Sequence, residues 1–170
     1  SLSLLRILKY RQTFIPVKTE ILAVHVDMGI PNFPQDKLIQ LLELEGVPYH
    51  IEKCPEFQDK PWDNVNCFIC SWHRRKMLFL TADRLGCNKV ALGHHLDDVI
   101  ETILLNMFYQ AEISAMCPKQ ELFEGKLEII RPMVYVEEKQ IITLVKKEQM
   151  ETMEDCQCPN NEVSKRMAMK

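Results

Sequence analysis

The segment Gly93 to Glu101 reads GHHLDDVIE, two histidines and two acids where a strand pattern gives way to a helix pattern. Acids at a helix N-terminus have an ordinary role, since free N–H groups and the positive dipole end favour negative charge there. Asp97 or Asp98 can therefore cap, with Glu101 in the first turns. The same carboxylates can instead hold a magnesium ion on a nucleotide or orient a nucleophile. Cys67 and Cys70 form a C-x-x-C, a spacing that lets two thiolates reach one metal centre, with a redox disulfide as the main competitor. Cys158, with Cys156 two residues before it, offers a distant third thiolate. Three thiolates without an obvious fourth suit a cluster with one open iron better than a closed zinc site. His73, Arg74, Arg75 and Lys76 form the densest basic run one turn past the pair, and Lys165, Arg166 and Lys170 make a second basic group near Cys158. Such a run is commonly a solvated helix face. If the cysteine segments meet, the two groups instead become a phosphate-binding patch.

These groups need elements to position them. Leu2, Leu4, Leu5, Ile7 and Leu8 recur at helical spacing to about Arg11. Glu20 to Asp27 is β-branched and apolar and stops at Met28-Gly29, the pattern of a buried parallel strand. Pro34 to Glu45 predicts a helix ended by Gly46, and Tyr49 to Glu52 a short strand. Cys54 to Asn66 holds prolines without a period and reads as a loop. Further on, Ser71 to Leu85, Leu96 to Tyr109 and Glu137 to Glu148 read as helices, and Asn88 to Leu92 and Leu127 to Ile130 as strands. The tail from 152 to 170 carries the third-cysteine segment and, from Glu162, a last basic helix. Strands alternating with helices predict an α/β fold, a parallel sheet with helices on both faces. Ligands then bind at the carboxyl ends of the strands, which places Asp27 and Gly93-His94-His95 on one expected crevice.

A length of 170 residues, 46% hydrophobic and 26% charged, fits one folded domain. The longest apolar runs fall far below the roughly 20 residues of a spanning helix. A soluble, cytoplasmic protein without a membrane partner is the expectation. Seven cysteines without a secretory signal favour metal or redox chemistry over a disulfide framework. A net charge of −3 argues against nonspecific coating of nucleic acid, so any such contact is a local patch.

Taken together, these residues resemble the tRNA 2-thiocytidine synthetase family (tRNA cytidine 2-sulfurtransferases) of the PP-loop ATP pyrophosphatase superfamily, over essentially the whole chain. CFICSWHRRK from Cys67 and LGCNKVALGHHLDDVIETILLNMFYQ up to Gln110 resemble the family's cysteine pair and GHHxDDxxET segment in order and spacing. Met116 to Lys119 and Ile130 to Pro132 are similar to its M-P-P-K and I-R-P stretches, with Cys117 in place of the first proline. Cys158-Pro159 and Ser164-Lys165-Arg166 resemble the third-cysteine segment. The family's S-G-G-K-D-S loop precedes an apolar helix, so the resemblance makes Ser1 the loop's last residue, with the first strand and most of the loop outside the chain.

The resemblance implies a PP-loop fold in which ATP lies across the strand ends, its nucleotide contacts at Ser1, Ala23, Val24, His25, Asp27 and Gly93. Asp97, Asp98 and His95 would be catalytic, with Mg2+ at Asp98. Cys67, Cys70 and Cys158 would hold a [4Fe-4S] cluster, and His73, Arg74, Arg75, Lys76, Lys165 and Arg166 would bind tRNA. The implied reaction is adenylation of the C2 oxygen of a tRNA cytosine and its replacement by sulfur, with a sulfur donor such as a cysteine desulfurase and a homodimeric enzyme. His94 and His95 shuttle a proton or satisfy the turn. A lysidine-type adenylating ligase and a tRNA uridine thiolase are alternatives within the superfamily. A non-catalytic nucleotide or redox module and a zinc protein that binds RNA are alternatives outside it.

Overall fold

Alternation along Ala23-Val24-His25-Val26-Asp27 puts Val26 in the core and Ala23, His25 and Asp27 on the opposite face of strand β1 (Ala23–Asp27). The computed structural model describes residues 2–58, 61, 62, 65–153 and 158. Ser1, Cys156, Lys165, Arg166, Lys170 and the helix expected from Glu162 lie outside the described residues. Helix α1 (Leu2–Gln12) opens the chain. After β1 come α2 (Gln35–Glu45), β2 (Tyr49–Lys53) and α3 (Cys67–Arg84), then β3 (Lys89–Ala91), α4 (Leu96–Gln110), β4 (Lys119–Leu122), β5 (Leu127–Ile130) and α5 (Glu138–Lys147).

The described residues fall into two compact units. One is built on Arg6–Leu85 and takes in Cys158; the other is built on Gly86–Met150 and takes in the start of α1. In the first, β1 and β2 pair in parallel with Ala23 opposite Tyr49 and Asp27 opposite Lys53. Pairing begins at Ala23, later than the expected Glu20, because β2 starts only after Pro48, whose carbonyl takes the Ala23 N–H at 2.9 Å. Gly46 ends α2 with φ of 63°, the left-handed cap that its position in the sequence predicts. Glu45, at the end of α2, meets Arg6 at 2.6 Å and Lys9 at 3.3 Å. Burial would raise the carboxyl's pKa, but these two cations bring it below the usual range.

In the second unit β3 and β5 are parallel and β4 is antiparallel to β5, in the order β3-β5-β4. Burial alternates along β5, with Leu127 and Ile129 inside. Each contributes roughly 1.5–3 kcal/mol. The parallel α/β expectation is thus borne out, with an antiparallel edge strand that sequence reading missed. The β4–β5 turn lacks the Asn-Gly or Asp-Gly signal, since Phe123 and Glu124 take the left-handed conformation at φ of 52° and 56°.

Helix α3 starts at Cys67, one turn before the expected Ser71. Asn66 explains the shift: its Oδ1 accepts the N–H groups of Phe68 at 2.8 Å and Ile69 at 3.4 Å. Both cysteines of the C-x-x-C therefore lie in a capped first turn. Asn66→Ala is expected to destabilise the protein by about 1 kcal/mol, read as a lower urea midpoint with an unchanged m-value. An unchanged midpoint would mean that the cap does not hold this turn.

Candidate functional site

The carboxyl end of β1 is fixed through its backbone. Cys54 N–H donates to the Asp27 carbonyl at 2.9 Å, Gln58 Nε2 to the same carbonyl at 3.2 Å, and Gly29 N–H to Asp27 Oδ1 at 2.8 Å. Gly29 has φ of 68°, and a Cβ there would stand 3.0 Å from the Phe57 carbonyl oxygen. The tight turn thus needs glycine for both conformation and space. Trp62 Nε1 donates to the Gly29 carbonyl at 2.8 Å and closes the loop over the strand end.

Under this turn Val26, Met28, Cys54, Phe57, Trp62 and Cys70 form one buried cluster, with Cys158 packed against it. Cys70 and Cys158, far apart in the chain, therefore reach one apolar lining. Cys67 is exposed, three residues before Cys70 and on the same side of the helix. Among the described residues these three do not form a single-ion cage; that geometry belongs to Cys54, Glu56 and His73. A cluster of several irons is larger than one ion, and its thiolates stand further apart. Soft thiolates on an apolar wall fit such a group, since iron–sulfur clusters are held by cysteine sulfur.

The basic run divides among separate partners. His73 Nδ1 lies 3.4 Å from Glu56 Oε1. Lys76 Nζ is 4.0 Å from the same oxygen and 5.4 Å from the centre of the Trp72 ring. Arg75 Nε donates to the Ser71 carbonyl, and the charge of Arg74 is felt at His25. Arg74, Arg75 and Lys76 remain exposed.

The His25 ring stacks on Phe33 with centroids 5.0 Å apart. Burial, chiefly, moves its pKa below the usual histidine value; Asp27 opposes this and Arg74 adds to it. With the folded pKa depressed, the unfolded chain binds more protons between the two values, so stability is lost as pH falls through that window. From about pH 7.5 to about 5.5 the urea midpoint should fall more steeply in the native protein than in His25→Gln. The difference is bounded by about 1.4 kcal/mol per pH unit for one proton. Identical slopes would remove His25 as the cause.

In the other unit, His94 and His95 follow β3 and lead into α4. His95 N–H donates to Asp98 Oδ2 at 3.0 Å, and the ring sits between two acids, Nε2 at 3.4 Å from Asp98 and Nδ1 at 3.5 Å from Asp97. Asp97 Oδ2 also accepts the Glu138 N–H at 2.7 Å, capping α5. That bond is the main reason the Asp97 carboxyl lies below its usual range. The preceding residue, Leu96, donates its N–H to the Val136 carbonyl at 2.9 Å. Capping and chemistry are compatible here, since a carboxylate has about four acceptor positions and neither acid uses all of them in capping. Sequence reading missed Cys54 and Glu56, which it left inside a loop without chemistry.

A family model described as a PP-loop domain matches residues 1–167. The chain is 38% identical to a tRNA-cytidine(32) 2-sulfurtransferase of Geobacter sulfurreducens, over 94% of this chain and 63% of that protein. It is 38% identical to the protein of the same name from Tolumonas auensis over 100% of this chain and 58% of the relative. With that of Acidovorax ebreus the identity is 43%, over 82% and 45% respectively. The chain thus spans less than two thirds of the length of these relatives. Among solved structures, the U34-tRNA thiolase NcsA from Methanococcus maripaludis with its [4Fe-4S] cluster superposes with a TM-score of 0.73 at 21% identity. It covers 91% of this chain and 54% of that one, a likeness of fold.

Proposed function

The chain belongs to the PP-loop domain family, and on that footing we propose that it is the ATP-using and cysteine-bearing part of a tRNA cytidine 2-sulfurtransferase. The observation that carries the proposal is the meeting of Cys70 and Cys158 on one apolar lining beside the α3 N-terminus, with Cys67 in the same turn. A lysidine-type ligase has no use for that arrangement. The names of the relatives favour cytidine over uridine as the base.

In the proposed reaction the C2 oxygen of a tRNA cytosine attacks the α-phosphorus of ATP. The bond to the β-phosphate breaks and pyrophosphate leaves. Persulfide sulfur from the donor is first reduced to sulfide by two thiols, which leave as a disulfide; the sulfide then attacks C2, the C–O bond breaks and AMP departs with the oxygen. A cluster with one iron not ligated by cysteine would supply that sulfur when bound. Cys67, Cys70 and Cys158 would hold it as thiolate ligands. Ser1, Ala23, Val24, His25, Asp27 and Gly93 would contact the nucleotide. Asp97 and Asp98 would bind its Mg2+, a hard cation suited to carboxylate oxygen. His95, bracketed by both acids, would orient them. Arg74, Arg75 and Lys76, with Lys165 and Arg166, would meet tRNA phosphates. A cysteine desulfurase as sulfur donor, a homodimer and a cytoplasmic setting complete the proposal; no described helix is long and apolar enough to cross a membrane.

The test is the fate of ATP in the full-length protein. Release of AMP and pyrophosphate that depends on added tRNA is expected. Release of ADP and phosphate would contradict adenylation of the base.

A further inference from the structure

We propose a second metal site in this chain, distinct from the Cys67, Cys70 and Cys158 set, in which Cys54, Glu56 and His73 bind one Zn2+ ion. The inference does not depend on the thiolation reading. Cys54 follows the last residue of β2 and is locked by its own backbone, its N–H on the Asp27 carbonyl and its carbonyl taking the Phe57 N–H at 3.1 Å. Its side chain is fully buried. Glu56 lies in the turn just after it, and His73 projects from α3.

The donor atoms of the three residues all lie within 4.8 Å of one another. Cys54 Sγ–H donates to Glu56 Oε2 at 3.3 Å, while Glu56 Oε1 stands 3.4 Å from His73 Nδ1. Zinc bond lengths of 2.0–2.3 Å place the ligand atoms of a tetrahedral ion roughly 3.3–3.6 Å apart. Each of the two distances from Glu56 falls in that range, and with all three donors within 4.8 Å of one another a small side-chain adjustment brings them onto one ion. His73 Nδ1 is itself buried without a hydrogen bond of good geometry. A ring nitrogen kept from water and aimed at a carboxylate and a thiol has a lone pair suited to a metal.

Thiolate, imidazole and carboxylate are the ligand set of borderline-soft Zn2+, and neither Mg2+ nor Ca2+ favours sulfur. Without an ion, burial and then Glu56 hold the Cys54 thiol protonated, with its pKa pushed up to about 11. Binding therefore forms the Zn–S bond and releases the thiol proton to solvent. The Phe57 and Trp72 rings pack edge-on to the His73 ring at 5.4 and 4.9 Å and fix its orientation. The Glu56 side chain is about one third exposed, at 35%, so water can reach this edge of the trio. Lys76 Nζ lies 4.0 Å from Glu56 Oε1 on an exposed side chain, a contact that zinc would replace.

The experiment uses full-length protein with its cluster in place, freed of other metal by dialysis against a mild chelator and titrated with Zn2+ in a calorimeter, with Co2+ as a spectroscopic substitute. One ion per chain and a thiolate-to-cobalt charge-transfer band are expected. Affinity should fall in Cys54→Val and His73→Gln by more than the about 10-fold typical of a lost outer-shell partner, and stay unchanged in Cys67→Ala. Since Cys54 is fully buried, Glu56→Gln at its part-exposed position supplies a weakened site in a variant that keeps the fold. Undiminished binding in all three variants, loss in Cys67→Ala alone, or no uptake by the native protein would overturn the assignment. The last result would leave the trio as a hydrogen-bonded chain.

Discussion

Cys67→Ala is expected to lower bound iron from about four atoms per chain to near zero and to abolish thiolation, while leaving stability within about 0.5 kcal/mol of the native protein. The asymmetry follows from where the cysteines lie. Cys67 is exposed, so its removal opens no cavity and breaks no described hydrogen bond of its side chain. Cys70 is buried in the cluster with Val26, Met28, Cys54, Phe57 and Trp62, and trimming it to alanine costs packing as well as a ligand. Loss of activity in Cys70→Ala alone would therefore be ambiguous, whereas loss in Cys67→Ala with an unchanged urea midpoint reports the ligand. Anaerobic iron and sulfide analysis with an absorbance spectrum reads the outcome. Full iron content in Cys67→Ala would remove this residue from the ligand set.

Asp98→Asn is the second large effect, a fall in tRNA-dependent AMP formation of at least about 100-fold with iron content unchanged. The conservative amide separates two roles that the structure superimposes. Asp98 Oδ2 accepts the His95 N–H at the start of α4, a cap worth about 1 kcal/mol. An asparagine oxygen still accepts that bond, while the charge that would meet Mg2+ is gone. Asp98→Ala loses both, so the pair of variants splits folding from chemistry. Near-normal turnover in Asp98→Asn would show that the acid only caps. Asp97 gives a cleaner structural contrast, since its Oδ2 holds the Glu138 N–H and its loss should also loosen α5.

Much of the fold was legible because the chain states it twice, in periodicity and in punctuation. Gly46 and Pro34 bracket α2, and Leu127 to Ile129 alternate along β5. β4 was not legible, because its turn puts phenylalanine and glutamate where glycine or asparagine would advertise a hairpin. The start of α3 was missed because one asparagine side chain, Asn66, moves a boundary that periodicity alone sets one turn later.

The site divides in the same way. Its thiolates and acids announce themselves through spacing, Cys67 with Cys70 and Asp97 with Asp98. What each partner does depends on contacts across the chain that spacing cannot encode. Asp97 reaches Glu138, and His73 turns from a basic run toward Glu56. Cys54 looked like a loop residue, since nothing in the sequence brings residue 54 to the helix that carries residue 73. Parallel pairing of β1 with β2 and the packing of Phe57 against His73 do so.

The most direct test of the central claim is nucleoside mass spectrometry of tRNA incubated with the full-length protein, ATP, Mg2+, a cysteine desulfurase and cysteine. Appearance of 2-thiocytidine, dependent on ATP and lost in Cys67→Ala, is the expected result. An intact cluster and normal release of AMP with no thiolated cytidine would contradict it.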